Sequence, residues 1–501
     1  MSNAHTIADQ IIYGKLASVS RYAGEQLRRV SRSSLLAENG AFAAGVITGE
    51  GALANQFQAE AEHLYALRSA ARELREHFEY DLEEGDVLIT ADVYVGGTKA
   101  QMLTMMLPVF AEGELVLSPV IRAQMADLGG EYPGGYNPDA FEVWQESMRL
   151  TPVKLYKGGK LQRDVWRFLL ANSRAGKLLE SDIQAMYACL MEARKSILKL
   201  LGIYGISSVN HAVERMKHHT RQRTLELLTD IPEEISGESP LFLQETQEKV
   251  LVKVRRSPEH CVFDFSGTSG QLALPYNITA GTTAACAVTA LMAEHLDLLP
   301  INDGLLDVFE FNLPSNSVVN PGFPAATALG LHSTGHAVAR AITTAIQRES
   351  NPDFAGVHGP APLTVLYPPV GSQAVMEPVF LEPGFTISQA GWGAPVLQGG
   401  RKLVSAEELE WRSDLRIRHR KLSDDGGMEV QLEVLHGRYE ACIFVPGGET
   451  EFRIVNVANG ARNGTGTGVP VAKGDILDYR YGCTHETSRT EKEDDIHETS
   501  C

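Results

Sequence analysis

The sequence has no C-x-x-C pair and no regular cysteine spacing. Its six cysteines, Cys189, Cys261, Cys286, Cys442, Cys483 and Cys501, are scattered along 501 residues. A disulfide framework or a zinc ribbon needs clustered pairs, so both are excluded, and the cysteines read as free thiols of a reducing compartment. No run of about 18 apolar residues occurs either, which removes a bilayer-spanning helix. Met1 to Ile12 lacks the basic-then-apolar layout of a secretory signal. Soluble and cytoplasmic is the reading that follows. Positive charge is also in short supply: 45 Lys+Arg against 63 Asp+Glu leaves 45 − 63 = −18. That net field repels nucleic acid and anionic membranes, so neither is expected as a partner. With 44% hydrophobic and 22% charged residues, the composition is that of a folded globular protein.

What is present is a chain of about three domain-sized units. Residues 6 to 31 have helical periodicity, Phe42 to Ile47 reads as a strand, and Ala59 to Tyr80 as an amphipathic helix. Val87 to Ala91 is a buried strand, and Leu107 to Ile121 reads as a hairpin turning at Glu112-Gly113. Gly129 to Pro138 and Leu313 to Pro324 are too rich in Gly and Pro for regular structure. Residues 161 to 230 are helical, strands return at Val250 to Val254 and Val262 to Phe265, and Ala280 to Leu296 is a buried helix. After residue 405 the pattern alternates as β-strands do. The fold class is α+β. The division is 1–160, an N-terminal mixed region; 161–405, a central helix and strand region; 406–483, a β-rich C-terminal region; and 484–501, a disordered tail.

GDVLITADVYVGGTKAQM (Gly85 to Met102), PVFAEGELV (Pro108 to Val116), RAQMADLGG (Arg122 to Gly130) and QESMRLTPVKLYKGGKL (Gln145 to Leu161) follow one another in order. FDFSGTSGQLALPYN (Phe263 to Asn277), LPINDG (Leu299 to Gly304), NPGFPAA (Asn320 to Ala326) and KGDIL (Lys473 to Leu477) continue the series. These blocks, in this order, resemble the hydantoinase B/oxoprolinase family. The resemblance implies a B-type subunit that completes hydrolysis of a cyclic amide or carboxylation of a ketone. It also implies an A-type partner subunit that binds ATP with Mg and phosphorylates the substrate oxygen. In such an enzyme a divalent metal makes the nucleophile, because a metal-bound water loses its proton near neutral pH.

The positions the resemblance marks as metal ligands are altered. The family's D-F-S block reads Asn39-Gly40-Ala41-Phe42-Ala43, T-H-x-x-D reads Thr98-Lys99-Ala100-Gln101-Met102, and H-H-x-D reads Gln124-Met125-Ala126-Asp127. A lysine ammonium repels a divalent ion, and Met is too soft for an oxygen-rich site. The expectation is therefore a chain with no metal or cofactor of its own. Asp92, Lys99 and Asp127 are the candidate catalytic remnants of the pocket. Three roles stay open for Lys99: filling a vacated cation place, pairing with Asp127, or acting as nucleophile or base. Asp92 and Tyr94 read as shaping their loop. His332 and His336 in LHSTGH have ligand spacing but read as a helix start, and His218-His219 as a solvated helix face. Gly464 to Gly468 lacks the Lys and helix of a nucleotide loop. Two functions remain: a catalytic B-type subunit with rearranged residues, or a silent structural or regulatory paralogue beside an A-type subunit and a second, intact B-type subunit.

Overall fold

Apolar runs without alternation call for a sheet covered on both faces, and the N-terminal region builds one. The computed structural model describes residues 3–58, 60–243, 246–293, 295–350, 363–367, 379–381, 406–407, 410, 414–422, 428–445, 450–456, 460–462 and 465–481. Helix α1 (Asn3–Val30) and the single turn α2 (Ser34–Ala37) lead into strands β1 (Phe42–Thr48) and β2 (Leu53–Gln58), then helix α3 (His63–His77). Strands β3 (Val87–Ala91), β4 (Met102–Met106), β5 (Val109–Ala111), β6 (Glu114–Gln124), β7 (Leu150–Lys157) and β8 (Lys160–Leu161) complete the sheet. Its order is β2-β1-β6-β4-β3-β7-β8, with β5 on β6. Alternate residues face opposite sides: Ala43, Leu88, Met106 and Val120 pack with α3, while Phe42, Ile89, Met105 and Ile121 pack with α1.

The helix expected from Ala59 begins instead at His63 and ends at His77. Residues 60–62 therefore lie outside it, with consequences for the site. The helical stretch 161–230 is three helices after the short turn α4 (Val143–Glu146): α5 (Arg163–Ala171), α6 (Gly176–Tyr204) and α7 (Ile206–Leu227). Gly205, at φ 79, separates the last two. Helix α6 joins α1 against the sheet, its Leu179, Ile183, Met186 and Leu190 filling that layer. The Gly- and Pro-rich loops hold as expected, with one 3-10 turn at Pro133–Gly135.

The central region carries strands β9 (Glu234–Pro240), β10 (Lys249–Arg256), β11 (Cys261–Asp264) and β12 (Phe309–Asn312), paired as β12-β11-β10-β9. Helix α8 (Ala280–Leu291) is buried, as its alanines predict, but stops five residues short of Leu296. The turn α9 (Asp303–Leu306) and helix α10 (His336–Ser350) follow, α10 entered through a π-helical turn at Leu331–Gly335. The C-terminal strands are β13 (Leu363–Tyr367), β14 (Val379–Leu381), β15 (Leu415–Leu422), β16 (Met428–Val434), β17 (Arg438–Phe444), β18 (Thr450–Asn456), β19 (Gly460–Arg462), β20 (Gly466–Ala472) and β21 (Asp475–Tyr481). They form sheets β14-β13-β17-β20 and β15-β16-β21-β18-β19. The fold is α+β. The tail 484–501 lies outside the described residues, among which no helix is long and apolar enough to cross a membrane.

Candidate functional site

Antiparallel pairing brings three loop segments to one end of the first sheet. Thr90 of β3 faces Thr104 of β4, and Met102 of β4 faces Gln124 of β6. Asp92 thus follows the end of β3, Lys99 precedes β4 and Asp127 follows β6, all at the same edge. Between the first two runs Gly96-Gly97-Thr98. Gly96 sits at φ 62, and a Cβ there would lie 2.3 Å from the Ala70 nitrogen of α3. Only glycine lets this loop press against the helix. Thr279, the N-cap of α8, fixes the loop from the other side, its hydroxyl donating to the Gly97 carbonyl at 2.8 Å.

The three candidates have separate partners. Asp92 Oδ1 accepts from the Tyr94 N–H at 2.9 Å, and Oδ2 accepts from Arg149 Nε at 2.6 Å. This Asp turns its own loop and anchors an arginine, which agrees with the loop-shaping expectation. Asp127 accepts from the Arg174 N–H at 2.6 Å and from its guanidinium at 3.1 Å. Burial raises the Asp127 carboxyl above its ordinary value, opposed by those Arg174 bonds and by the Gly134 N–H. Lys99 Nζ lies 3.0 Å from Glu62 Oε1, with the two side chains 4% and 0% exposed. The pairing of Lys99 with Asp127 is thereby corrected: the lysine meets a carboxylate from the approach to α3, and Asp127 is held by Arg174.

Around Lys99 the structure gathers residues that the sequence pattern did not single out. Glu60, Glu62 and His63 are buried, and their ligand-type atoms lie within 4.8 Å of one another. His63 Nε2 is 3.6 Å from Glu60 Oε2. Arg122, wholly buried, donates to Thr104 Oγ1 at 2.8 Å and Thr98 Oγ1 at 3.1 Å. Burial lowers its guanidinium to about 10, while the charge of Glu62 works the other way. Glu62 is thus faced by two buried cations, Lys99 and Arg122, inside the protein.

The remaining altered positions serve packing. Met125 is buried in the apolar layer on the α1 side, and Met102 is buried as well. The Gln124 amide donates to Tyr136 Oη at 3.3 Å. Gln101, at φ 67, donates to the Gly129 and Glu146 carbonyls at 3.0 and 2.8 Å and accepts from the Leu128 N–H. An ammonium, two thioethers and an amide bonded to a phenol do not suit a divalent metal at the positions the resemblance marks. His332 lies edge-on to Tyr136, and His336 Nδ1 is 2.7 Å from the Leu331 carbonyl in the turn that opens α10, a structural use. His218 and His219 are exposed on α7. The four cysteines among the described residues are free and buried.

The family model described as Hydantoinase B/oxoprolinase matches residues 5–428. The chain is 28% identical over 332 residues to the caprolactamase subunit beta of Pseudomonas jessenii, covering 65% of this chain and 57% of that protein. It spans less than two thirds of the length of the curated relatives it matches. The crystal structure of the ATP-dependent caprolactamase from Pseudomonas jessenii has the same fold, with a TM-score of 0.85 at 22% identity over 95% of this chain and 90% of that one. The nucleotide-free structure of an acetone carboxylase follows at 0.79 and 15%, over 95% and 74%.

Proposed function

The chain belongs to the hydantoinase B/oxoprolinase family, and on that premise we propose that it works as a B-type subunit of an ATP-dependent assembly acting on a cyclic amide or a ketone. An A-type partner binds ATP with Mg in this reading and phosphorylates the substrate oxygen, which turns a stable amide or enol into an electrophile. The family match over residues 5–428 supports the framework role. A half-exposed aromatic face supports assembly: Tyr94 and Trp144 meet Phe323 edge-on, with Trp144 and Phe323 each 49% exposed.

One observation carries the reading of this chain's own part: Lys99 paired with Glu62 at 3.0 Å inside the protein. A buried ammonium supplies no activated water, and a lysine acts as a nucleophile only as the free amine. The reading favoured is therefore a catalytically silent structural or regulatory subunit that works beside an A-type subunit and an intact B-type one. The catalytic alternative, with Asp92, Lys99 and Asp127 rearranged for chemistry, has each of them committed to a structural partner. Co-expression with the adjacent A-type subunit, followed by size-exclusion chromatography with mass measurement, tests the assembly. Co-elution as a heteromer is the expected result; a stable monomer that leaves the A-type subunit behind contradicts it.

A further inference from the structure

Glu60, Glu62 and His63 make a donor set that divalent cations take, two carboxylate oxygens and an imidazole nitrogen. None of the three stands at a position that the family resemblance marks as a ligand. His63 is fully buried, and neither ring nitrogen has a hydrogen-bond partner among the described residues. Nε2 faces the Glu60 carboxylate at 3.6 Å. What keeps the set from being a metal site is charge. Lys99 at 3.0 Å from Glu62, and the buried Arg122 that the Glu62 charge favours, already set positive charge against that carboxylate. A divalent ion would add two positive charges beside that ammonium, in a region where water screens little.

We propose that Lys99 is a tethered cation masking a latent metal site formed by Glu60, Glu62 and His63. The inference rests on the reading that this chain works without a metal, and it adds where one would bind once the ammonium is removed. Without Lys99, Glu62 loses the ammonium at 3.0 Å, and its carboxylate sits beside a second carboxylate and a histidine able to donate. A cation then takes the place of the ammonium.

The test uses the full chain stripped with EDTA, offered zinc chloride, passed through gel filtration and read by elemental analysis and thermal melting. Lys99→Met is expected to retain about one zinc per chain and to melt at a higher temperature with zinc than with EDTA. Wild type and the charge-conserving Lys99→Arg are expected to retain none and to melt alike under both conditions. Adding Glu62→Gln to Lys99→Met should abolish uptake. A folded Lys99→Met that takes up no zinc overturns the proposal while leaving the metal-free reading intact. Zinc retained by wild type overturns both. Undiminished uptake by the double variant, or a Lys99→Met that stays unfolded even with zinc, also overturns the proposal, because the ion then does not replace the ammonium at this site.

Discussion

Glu146 lies fully buried, its carboxylate accepting from the Thr327 N–H at 3.0 Å and the Ala328 N–H at 2.7 Å. Burial pushes its carboxyl up to about 8, against the pull of those two N–H groups. A folded value above the ordinary one means the folded chain holds the proton longer than the unfolded chain. The stability this confers is complete below the ordinary carboxyl range, near 4.5, and is lost as pH rises through about 8. Glu146→Gln keeps an acceptor oxygen but removes the titration. Urea midpoints measured at steps between pH 5 and 8 should fall more steeply for wild type than for the variant, by on the order of 3 kcal/mol across the range. Equal slopes would contradict the assignment. At this scale the sequence was partly legible. The Lys99 substitution was visible because a cation stood where the resemblance marks a histidine. Its partner was not, because Glu62 comes from a segment with no capping signal and an apolar period that runs on through Ala61 and Leu64. Arg122 was missed because charge in a strand normally points to solvent, whereas here Thr104 directly across the strand and Thr98 take its donors inside.

At the scale of elements, the loop between β3 and β4 holds the site together by lying on α3. Gly96→Ala would put a Cβ 2.3 Å from the Ala70 nitrogen and 2.5 Å from the Ser69 carbonyl carbon, at a φ that disfavours side chains. Both penalties act at once, so a loss of roughly 2–4 kcal/mol is expected, read as a lower denaturant midpoint at unchanged slope. Gly113, with φ 87 but nothing within 4 Å, is the control: alanine there should cost only the conformational part, about 1 kcal/mol. The strands of this sheet were readable because burial on both faces demands unbroken apolar runs. The start of α3 was not, since periodicity records a buried face and is blind to where the first backbone bond forms. The ends of α8 and the break at Gly205 between α6 and α7 follow the same logic: the pattern shows the element and leaves its boundary to capping and packing.

The whole molecule retains the family's framework through residues 5–428 while placing a lysine, two methionines and a glutamine at marked ligand positions. A framework kept while the family's marked donors are lost is what a subunit kept for assembly would show, and the α+β architecture carries no chemistry by itself. The buried pairing of Lys99 with Glu62 is the feature on which the functional reading turns. It is tested most directly by elemental analysis of the wild-type chain, purified without chelator from cells grown with zinc and manganese. The account predicts well below one ion of either metal per chain. About one tightly held ion per chain, surviving gel filtration and raising the melting temperature over the EDTA-treated protein, would contradict it.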